Sequence, residues 1–342
     1  MHDISCVGTE SIKSTENILG KMSGLKVLIT NPEVPQVAID LLDQKCTLII
    51  NEETPYPTRQ QILAKCSGVD AIFWASKERL DAEVLDVAGP QMKVVGVMSA
   101  GLDNVDVDTL KARGIKLGNT PVVLNDAVAD VAVLLALGAS RRITEGRRAI
   151  ERGTWRFGIQ WQLGRDIAAS TVGIVGLGGI GQAIVTKLAR FGVSRFLYSG
   201  HKEKEEGKQL NAKFVTFDEL IKDSDFVIIS CPLNDETRGM FNKSVFEKMK
   251  DTAILVNIAR GAIVVQDDLV EALEKKKIFA AGLDVMTPEP LPTDHPLLKL
   301  DNVVLLPHIG SATINTRAAM AQLTAQNILM GLGGLPMFTP VY

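Results

Sequence analysis

The sequence predicts an α/β protein made of two doubly wound parallel-sheet domains, and three observations carry that expectation. From Leu25 onward, short apolar runs rich in β-branched residues alternate with stretches of helical periodicity, which implies a parallel sheet covered by helices on both faces. A strand-to-helix passage in the second half of the chain carries the glycine turn Gly176-Leu177-Gly178-Gly179-Ile180-Gly181, and the first half has no counterpart to it. At 342 residues the chain is too long for one typical core, so two domains are expected. The boundaries read as a loosely ordered extension over 1–24, a first domain over 25–122 completed by the C-terminal segment 312–342, and a second domain over 123–311.

Residues Met1 to Gly24 are mostly polar, with Asp3, Glu10 and Glu16 and no arginine, so they match neither a secretory signal nor a transit peptide. After them, 26–30, 47–51, 71–75, 93–97 and 116–119 read as strands, with helices over 58–67 and 81–88. Without a phosphate-binding turn, this flavodoxin-like unit is the expected substrate domain. Pro121 and then Asn125 or Asp126 precede Ala127 to Ala139, a run so apolar that its helix is expected to be buried all round, between the domains. Arg141, Arg142, Arg147, Arg148, Arg152 and Arg156 follow, interleaved with Trp155, Phe157 and Trp161. Basic residues among aromatics can bind nucleic acid. Two glutamates interrupt the run and the net charge is −3, so a solvated helix followed by an interface arm is expected instead.

The glycine turn sits in the context that gives it a mechanism. Val172 to Val175 leads straight into it, and Ala183, Ile184, Leu188, Ala189 and Phe191 then recur at helical spacing. In a Rossmann dinucleotide-binding unit Gly176 permits the tight turn, Gly178 lets the backbone approach a pyrophosphate, and Gly181 lets helix and strand pack closely. The helix N-terminus holds the anion. Arg195 to Tyr198 supplies the next strand, and its end carries more information than the glycines. Where an NAD site places Asp or Glu on the ribose 2′-hydroxyl, this chain has Ser199-Gly200-His201-Lys202. No carboxylate repels a 2′-phosphate there, and a hydroxyl, an imidazole and an ammonium can donate to one. The expected cofactor is NADP(H), with NAD(H) accepted as well.

Further strands read over 213–217, 226–230, 253–257, 278–284 and 303–306, with helices over 218–222, 243–249 and 266–274. A stiff proline loop spans 287–296, and a last helix from Ile314 to Leu332 is expected to return to the first domain. Ligands of doubly wound sheets bind beyond the carboxyl ends of the strands. That rule gathers Arg260, Glu289 and His308 at one sheet edge. The chain has only four histidines, so one at such a place suggests acid–base chemistry.

Composition narrows the remaining classes. An apolar fraction of 46% and a charged fraction of 23% are ordinary, the weakly acidic balance excludes a general polyanion binder, and no apolar run is long enough for a membrane span. Cys6, Cys46, Cys66 and Cys231 are scattered, which fits neither a metal site nor a disulfide framework. A reducing, cytoplasmic compartment is expected.

The motifs VGIVGLGGIG, CPLNDETRGMFNK, NIARGAIVVQDDL, AAGLDVMTPEPLP and LPHIGSAT make the sequence resemble the D-isomer-specific 2-hydroxyacid dehydrogenases, nearest to the glyoxylate/hydroxypyruvate reductases of animals. The resemblance runs from about Leu25 to Pro336. It implies NADPH-dependent reduction of hydroxypyruvate and glyoxylate, with Arg260, Glu289 and His308 catalytic. It implies a substrate carboxylate held by Ser99, Ala100 and Gly101, with Arg260 and Ser311 beside them. The cofactor contacts it implies are the turn from Gly176 to Gly181, Ser199 to Lys202, Pro232, Thr237, Ile258, Asp284, His308 and Gly310, with Asp284 on the carboxamide. Asp130 stands where relatives commonly carry Glu, and the family's region equivalent to Trp155, Phe157 and Trp161 reaches the partner of a homodimer.

In the implied chemistry His308 is the general acid, Glu289 on its far ring nitrogen favours the imidazolium, and Arg260 clamps the substrate oxygens. Two other readings remain at this stage. One is a D-lactate or phosphoglycerate dehydrogenase, the latter disfavoured because no long regulatory extension follows Pro336. The other is a dinucleotide-sensing, corepressor-like binding protein, disfavoured because no long disordered tail or partner motif is present.

Overall fold

Two all-parallel sheets organise the residues described by this computed structural model, which are Met22 and residues 24–342. The extension expected over 1–24 lies almost wholly outside them. The first sheet contains β1 (Lys26–Ile29), β2 (Thr47–Ile50), β3 (Ala71–Trp74), β4 (Val94–Val97) and β5 (Lys116–Gly118) in the order β2-β1-β3-β4-β5. That is the flavodoxin order. The second contains β6 (Thr171–Val175), β7 (Arg195–Ser199), β8 (Ala212–Phe214), β9 (Phe226–Ile229), β10 (Ile254–Asn257), β11 (Ala280–Leu283) and β12 (Val303–Leu305). Its order, β12-β11-β10-β9-β6-β7-β8, is the Rossmann order with one strand added, and the switch point falls between β6 and β9. Both sheets follow from sequence for the same reason. β3, β4, β6, β9, β10 and β11 are buried at every position, as strands covered on both faces must be.

The chain divides into two units, one running to Val123 and taking back Thr313–Tyr342, the other spanning Leu124–Ala312. In the first unit the Ile314–Leu332 helix lies against β3, β4 and β5. Glycines make that approach feasible. A Cβ at Gly96 would stand 2.8 Å from Ile328 Cγ1, and one at Gly118 would stand 2.9 Å from Asn327 Cγ. Asn327 also donates to Asn119 O and to Thr339 Oγ1, which fixes the C-terminal segment along β5.

In the second unit the Asn125–Ser140 helix packs on β10, β11 and the Gly179–Leu188 helix, and a Cβ at Gly282 would come within 2.8 Å of Leu135 Cβ. Two expectations for this helix are corrected. Neither Asn125 nor Asp126 caps it: the N-cap is Leu124, which makes no side-chain cap bond. The Asn125 amide instead lies against Gly179, while Asp126 and Asp130 both pair with Lys187 at 3.4 and 2.9 Å. Nor is the helix buried all round, because Leu134 is 51% exposed. The strand expected over 213–217 is shorter and one residue earlier. Thr216 ends it by capping the Phe217–Asp223 helix, with Thr216 and Glu219 forming a reciprocal capping box.

Candidate functional site

The glycine turn takes the conformation that its residues allow. Gly176 has φ +95°, and a Cβ there would meet Cys231 Cα at 2.8 Å. A Cβ at Gly181 would meet Gly176 O at 2.4 Å, so strand and helix touch through backbone. Gly178 is different, with nothing within 4 Å of the place its Cβ would take. The N–H groups of the first turn from Gly179 lack partners within the helix. An open backbone cradle at a helix N-terminus fits the pyrophosphate of a dinucleotide. Burial pushes the thiol of Cys231 beside it up to about 11. Leu177 and Ile258 are buried, and Ile180 is half-buried.

The neighbouring loop separates residues that the sequence grouped. Ser199 ends β7 and is buried, while Gly200 has open space where a side chain would go. His201 and Lys202 are exposed, with His201 Nδ1 3.8 Å from Glu236. Lys204, which the sequence did not single out, is the cation held in place. Its Nζ donates to Leu177 O at 2.9 Å and its backbone N–H donates to Tyr198 Oη at 2.8 Å. Nothing in residue type or spacing distinguishes it from Lys202. Across the turn, Thr237 Oγ1 donates to Pro232 O at 2.7 Å and accepts the Asn234 N–H at 2.9 Å, giving that loop its shape.

Arg260, Glu289 and His308 follow β10, β11 and β12, which are adjacent in the sheet. His308 Nδ1 lies 2.8 Å from Glu289 Oε2, and Glu289 Oε1 accepts the Met286 N–H at 3.0 Å. His308 has φ +56°, a left-handed conformation that non-glycine residues rarely adopt. Asp284 holds it there. Its backbone oxygen accepts the His308 N–H at 2.8 Å, and its carboxylate accepts the N–H groups of Ile309 and Gly310, each at 2.8 Å. Burial pushes the Asp284 carboxyl above its ordinary value, and the two amide bonds act in the opposite direction. Gly310 is buried against this carboxylate, and Ser311 is half-buried next to it.

Asn257, also missed from sequence, presents Arg260. Its Oδ1 accepts the Ala259 N–H at 3.0 Å and its Nδ2 donates to Arg260 O at 2.9 Å. The Asn at the end of a buried strand was the available signal, since such a side chain readily folds back on its own backbone. Arg260 Nη1 donates to Ala259 O at 2.8 Å.

In the other unit, Ser99, Ala100 and Gly101 form a loop after β4. Ser99 Oγ donates to Gly101 O at 2.5 Å, and Asn119 Nδ2 donates to Ala100 O at 2.9 Å.

Known proteins are similar to this chain over most of their length. Residues 133–310 match the family described as D-isomer specific 2-hydroxyacid dehydrogenase, NAD binding domain. The chain is 46% identical over 289 residues to a glyoxylate reductase/hydroxypyruvate reductase of Homo sapiens, covering 84% of this chain and 88% of that one. It is 43% identical over 310 residues to a glyoxylate reductase of Thermococcus onnurineus, covering 89% and 92%. A solved glyoxylate reductase from Paecilomyes thermophila matches with a TM-score of 0.83 at 32% identity, covering 93% of this chain and 98% of that one. With a Rossmann sheet, an open glycine cradle and the His308–Glu289 contact at its carboxyl edge, the chain belongs to the D-isomer specific 2-hydroxyacid dehydrogenases, NAD(P)-dependent oxidoreductases whose cofactor is a nicotinamide dinucleotide.

Proposed function

We propose that this protein reduces hydroxypyruvate and glyoxylate to D-glycerate and glycolate, with NADPH preferred over NADH. The observation that carries the acid–base part of this reading is the 2.8 Å contact between His308 Nδ1 and Glu289 Oε2 on a backbone held left-handed by Asp284. The names of the relatives supply the substrate class.

When bound, the dinucleotide supplies hydride to the carbonyl carbon of a 2-oxo acid. The chain's own residues do the rest. Glu289 occupies Nδ1 of His308, which leaves Nε2 as the atom that gives a proton to the carbonyl oxygen. Arg260 offers a planar fork to the carboxylate and the carbonyl oxygen, which orients the carbon for transfer. Backbone amides of Ser99, Ala100 and Gly101 are proposed to bind a substrate carboxylate, and Ser311 and Gly310 to form the floor beside His308. Pro232, Thr237 and Ile258 are proposed to line the cofactor. The preference for NADPH rests on Ser199, Gly200, His201 and Lys202, where no carboxylate meets the ribose, and on the cation of Lys204 fixed at the glycine turn. A steady-state panel of hydroxypyruvate, glyoxylate and pyruvate against both cofactors tests the reading. Turnover is expected with the first two substrates and higher kcat/KM with NADPH, and failure with every pair would end it.

A homodimer formed through the arm after Glu151 completes the proposal. Trp155, Phe157 and Ile159 are 58%, 93% and 94% exposed, more apolar surface than an isolated chain normally leaves in one segment. A cavity of about 500 Å³ lined by Ile143, Leu297, Leu298 and Val303 lies in the same unit. Sedimentation showing only monomer at micromolar concentration would refute the dimer. Among the described residues no helix is long and apolar enough to cross a membrane, and the buried Cys46, Cys66 and Cys231 are unpaired thiols, which suits a cytoplasmic enzyme.

A further inference from the structure

The loop that carries Glu289 is also held from its other side. Gln266, first residue of the Gln266–Glu274 helix, spends both ends of its amide on one residue. Nε2 donates to Thr287 O at 2.6 Å, and Oε1 accepts the Thr287 N–H at 2.9 Å. The side chain therefore pairs with Thr287 as a neighbouring strand would. This pairing fixes the orientation of the amide, since turning it over would oppose two donors and two acceptors. His295, whose Nδ1 accepts the Leu297 N–H at 3.2 Å, lies beside the amide with its Nε2 2.9 Å from Gln266 Nε2.

The peptide before Thr287 is equally constrained. A Cβ on Gly261 would come within 2.2 Å of Met286 O, so this carbonyl rests directly on backbone. Met286 N–H in turn donates to Glu289 Oε1. Between Met286 and Glu289 the chain thus has little room to move. Pro288 and Pro290 flank Glu289, and their fixed φ keeps a shift at Thr287 from being absorbed by bending. Such a shift would pass to the carboxylate, and Glu289 Oε2 is the atom 2.8 Å from His308.

We infer that Gln266 is a positioning residue for the acid–base pair, acting through Thr287 on Glu289 and through Glu289 on His308 without touching the reacting atoms. The inference rests on the reading of His308 as the general acid. A residue that only stabilised the helix would change the thermal midpoint and leave the interplay with Glu289 untouched. A residue that sets the carboxylate must lose its importance once the carboxylate is gone.

The test is a double-mutant cycle. Gln266→Met keeps the length of the side chain and removes both hydrogen bonds, and it is made in the wild type and in the Glu289→Gln background. Turnover of hydroxypyruvate, the NADPH dissociation constant and the thermal midpoint are measured for each. In the wild type, kcat is expected to fall about tenfold or more, since small displacements of a catalytic group are that costly, with NADPH binding unchanged within about twofold. In the Glu289→Gln background the same substitution is expected to cost under about twofold, because the two changes act on one element. Equal losses in both backgrounds, or a Gln266→Met enzyme with wild-type kcat, would overturn the inference. Should Gln266→Met fail to fold, Gln266→Glu keeps the acceptor for Thr287 N–H and loses the donor. It should show a smaller loss that also disappears without Glu289, and persistence of that loss counts against the inference. His308→Ala is run alongside. If that variant keeps its turnover, the reading of His308 itself fails, which is a separate result from failure of the cycle.

Discussion

Two buried asparagines stand at the carboxyl ends of strands in the two sheets, one on interior strand β10 and one just past edge strand β2, and they behave in opposite ways. Asn257, the last residue of β10, commits both amide atoms to nearby backbone, accepting from Ala259 and donating to Arg260. Asn51 after β2 is fully buried, and neither its Oδ1 nor its Nδ2 has a hydrogen-bond partner among the described residues. Elsewhere both edges spend polar side chains on backbone. Past β11, Asp284 commits its carboxylate and its carbonyl to the loop of His308, and at the five-stranded edge Thr30, Ser99 and Asn119 bond backbone atoms, while Trp74 Nε1 and Thr120 Oγ1 are buried with no partner among the described residues. The same fold rule furnishes both edges with polar residues, and what differs is whether a given one is spent on backbone geometry.

The largest effect that bears on this contrast is at His308. His308→Ala is expected to lower kcat by about 10²- to 10⁴-fold, the usual worth of general acid catalysis, while NADPH binding stays nearly intact. A loss under roughly threefold in steady-state kinetics would remove the chemical meaning of the Asp284 and Glu289 contacts, leaving them as loop structure only.

The next effect concerns cofactor choice. Gly200 has open space around the place its side chain would take, so Gly200→Asp can be made without a clash, whereas a carboxylate at Ser199 would be buried. An Asp there accepts from a ribose 2′-hydroxyl and repels a 2′-phosphate. The expected change is on the order of 1 to 3 kcal/mol, about tenfold or more in the ratio of the NADPH and NADH dissociation constants. Fluorescence titration of wild type and variant reads it directly, and an unchanged ratio would place the phosphate away from Gly200.

Strand existence was legible because a fully buried strand must be a continuous apolar run, and 226–229 or 254–257 can be little else. The strand-end rule likewise put Arg260, Glu289 and His308 after three strands, which are neighbours in the sheet. Local chemistry carried less where it competes with packing. Asn125 looks like a cap, but the helix starts at it and its amide is turned towards Gly179. Gln266, Asn257 and Lys204 stayed hidden because each acts on backbone atoms whose position only the tertiary fold provides. The left-handed φ of His308 was unreadable too, since no glycine or asparagine announces it.

The smallest expected effect separates the two asparagines themselves. Leucine has the branching of asparagine with methyl groups in place of the amide atoms, so Asn→Leu removes polarity and adds the same volume at both sites. At Asn257 the exchange strands the Ala259 N–H and the Arg260 carbonyl, at about 1 to 3 kcal/mol for a buried group left unpaired. Arg260 then loses its presentation, so kcat should fall together with stability. At Asn51 the exchange strands nothing among the described residues, because none of them bonds its side chain. Removing an unpartnered buried amide should leave stability unchanged or raise it by about 1 kcal/mol, with kcat unaltered. Denaturant unfolding and steady-state kinetics on both variants decide the matter. An Asn51→Leu enzyme destabilised as much as Asn257→Leu would mean that the Asn51 amide also serves the fold, and the distinction between the two asparagines would fall.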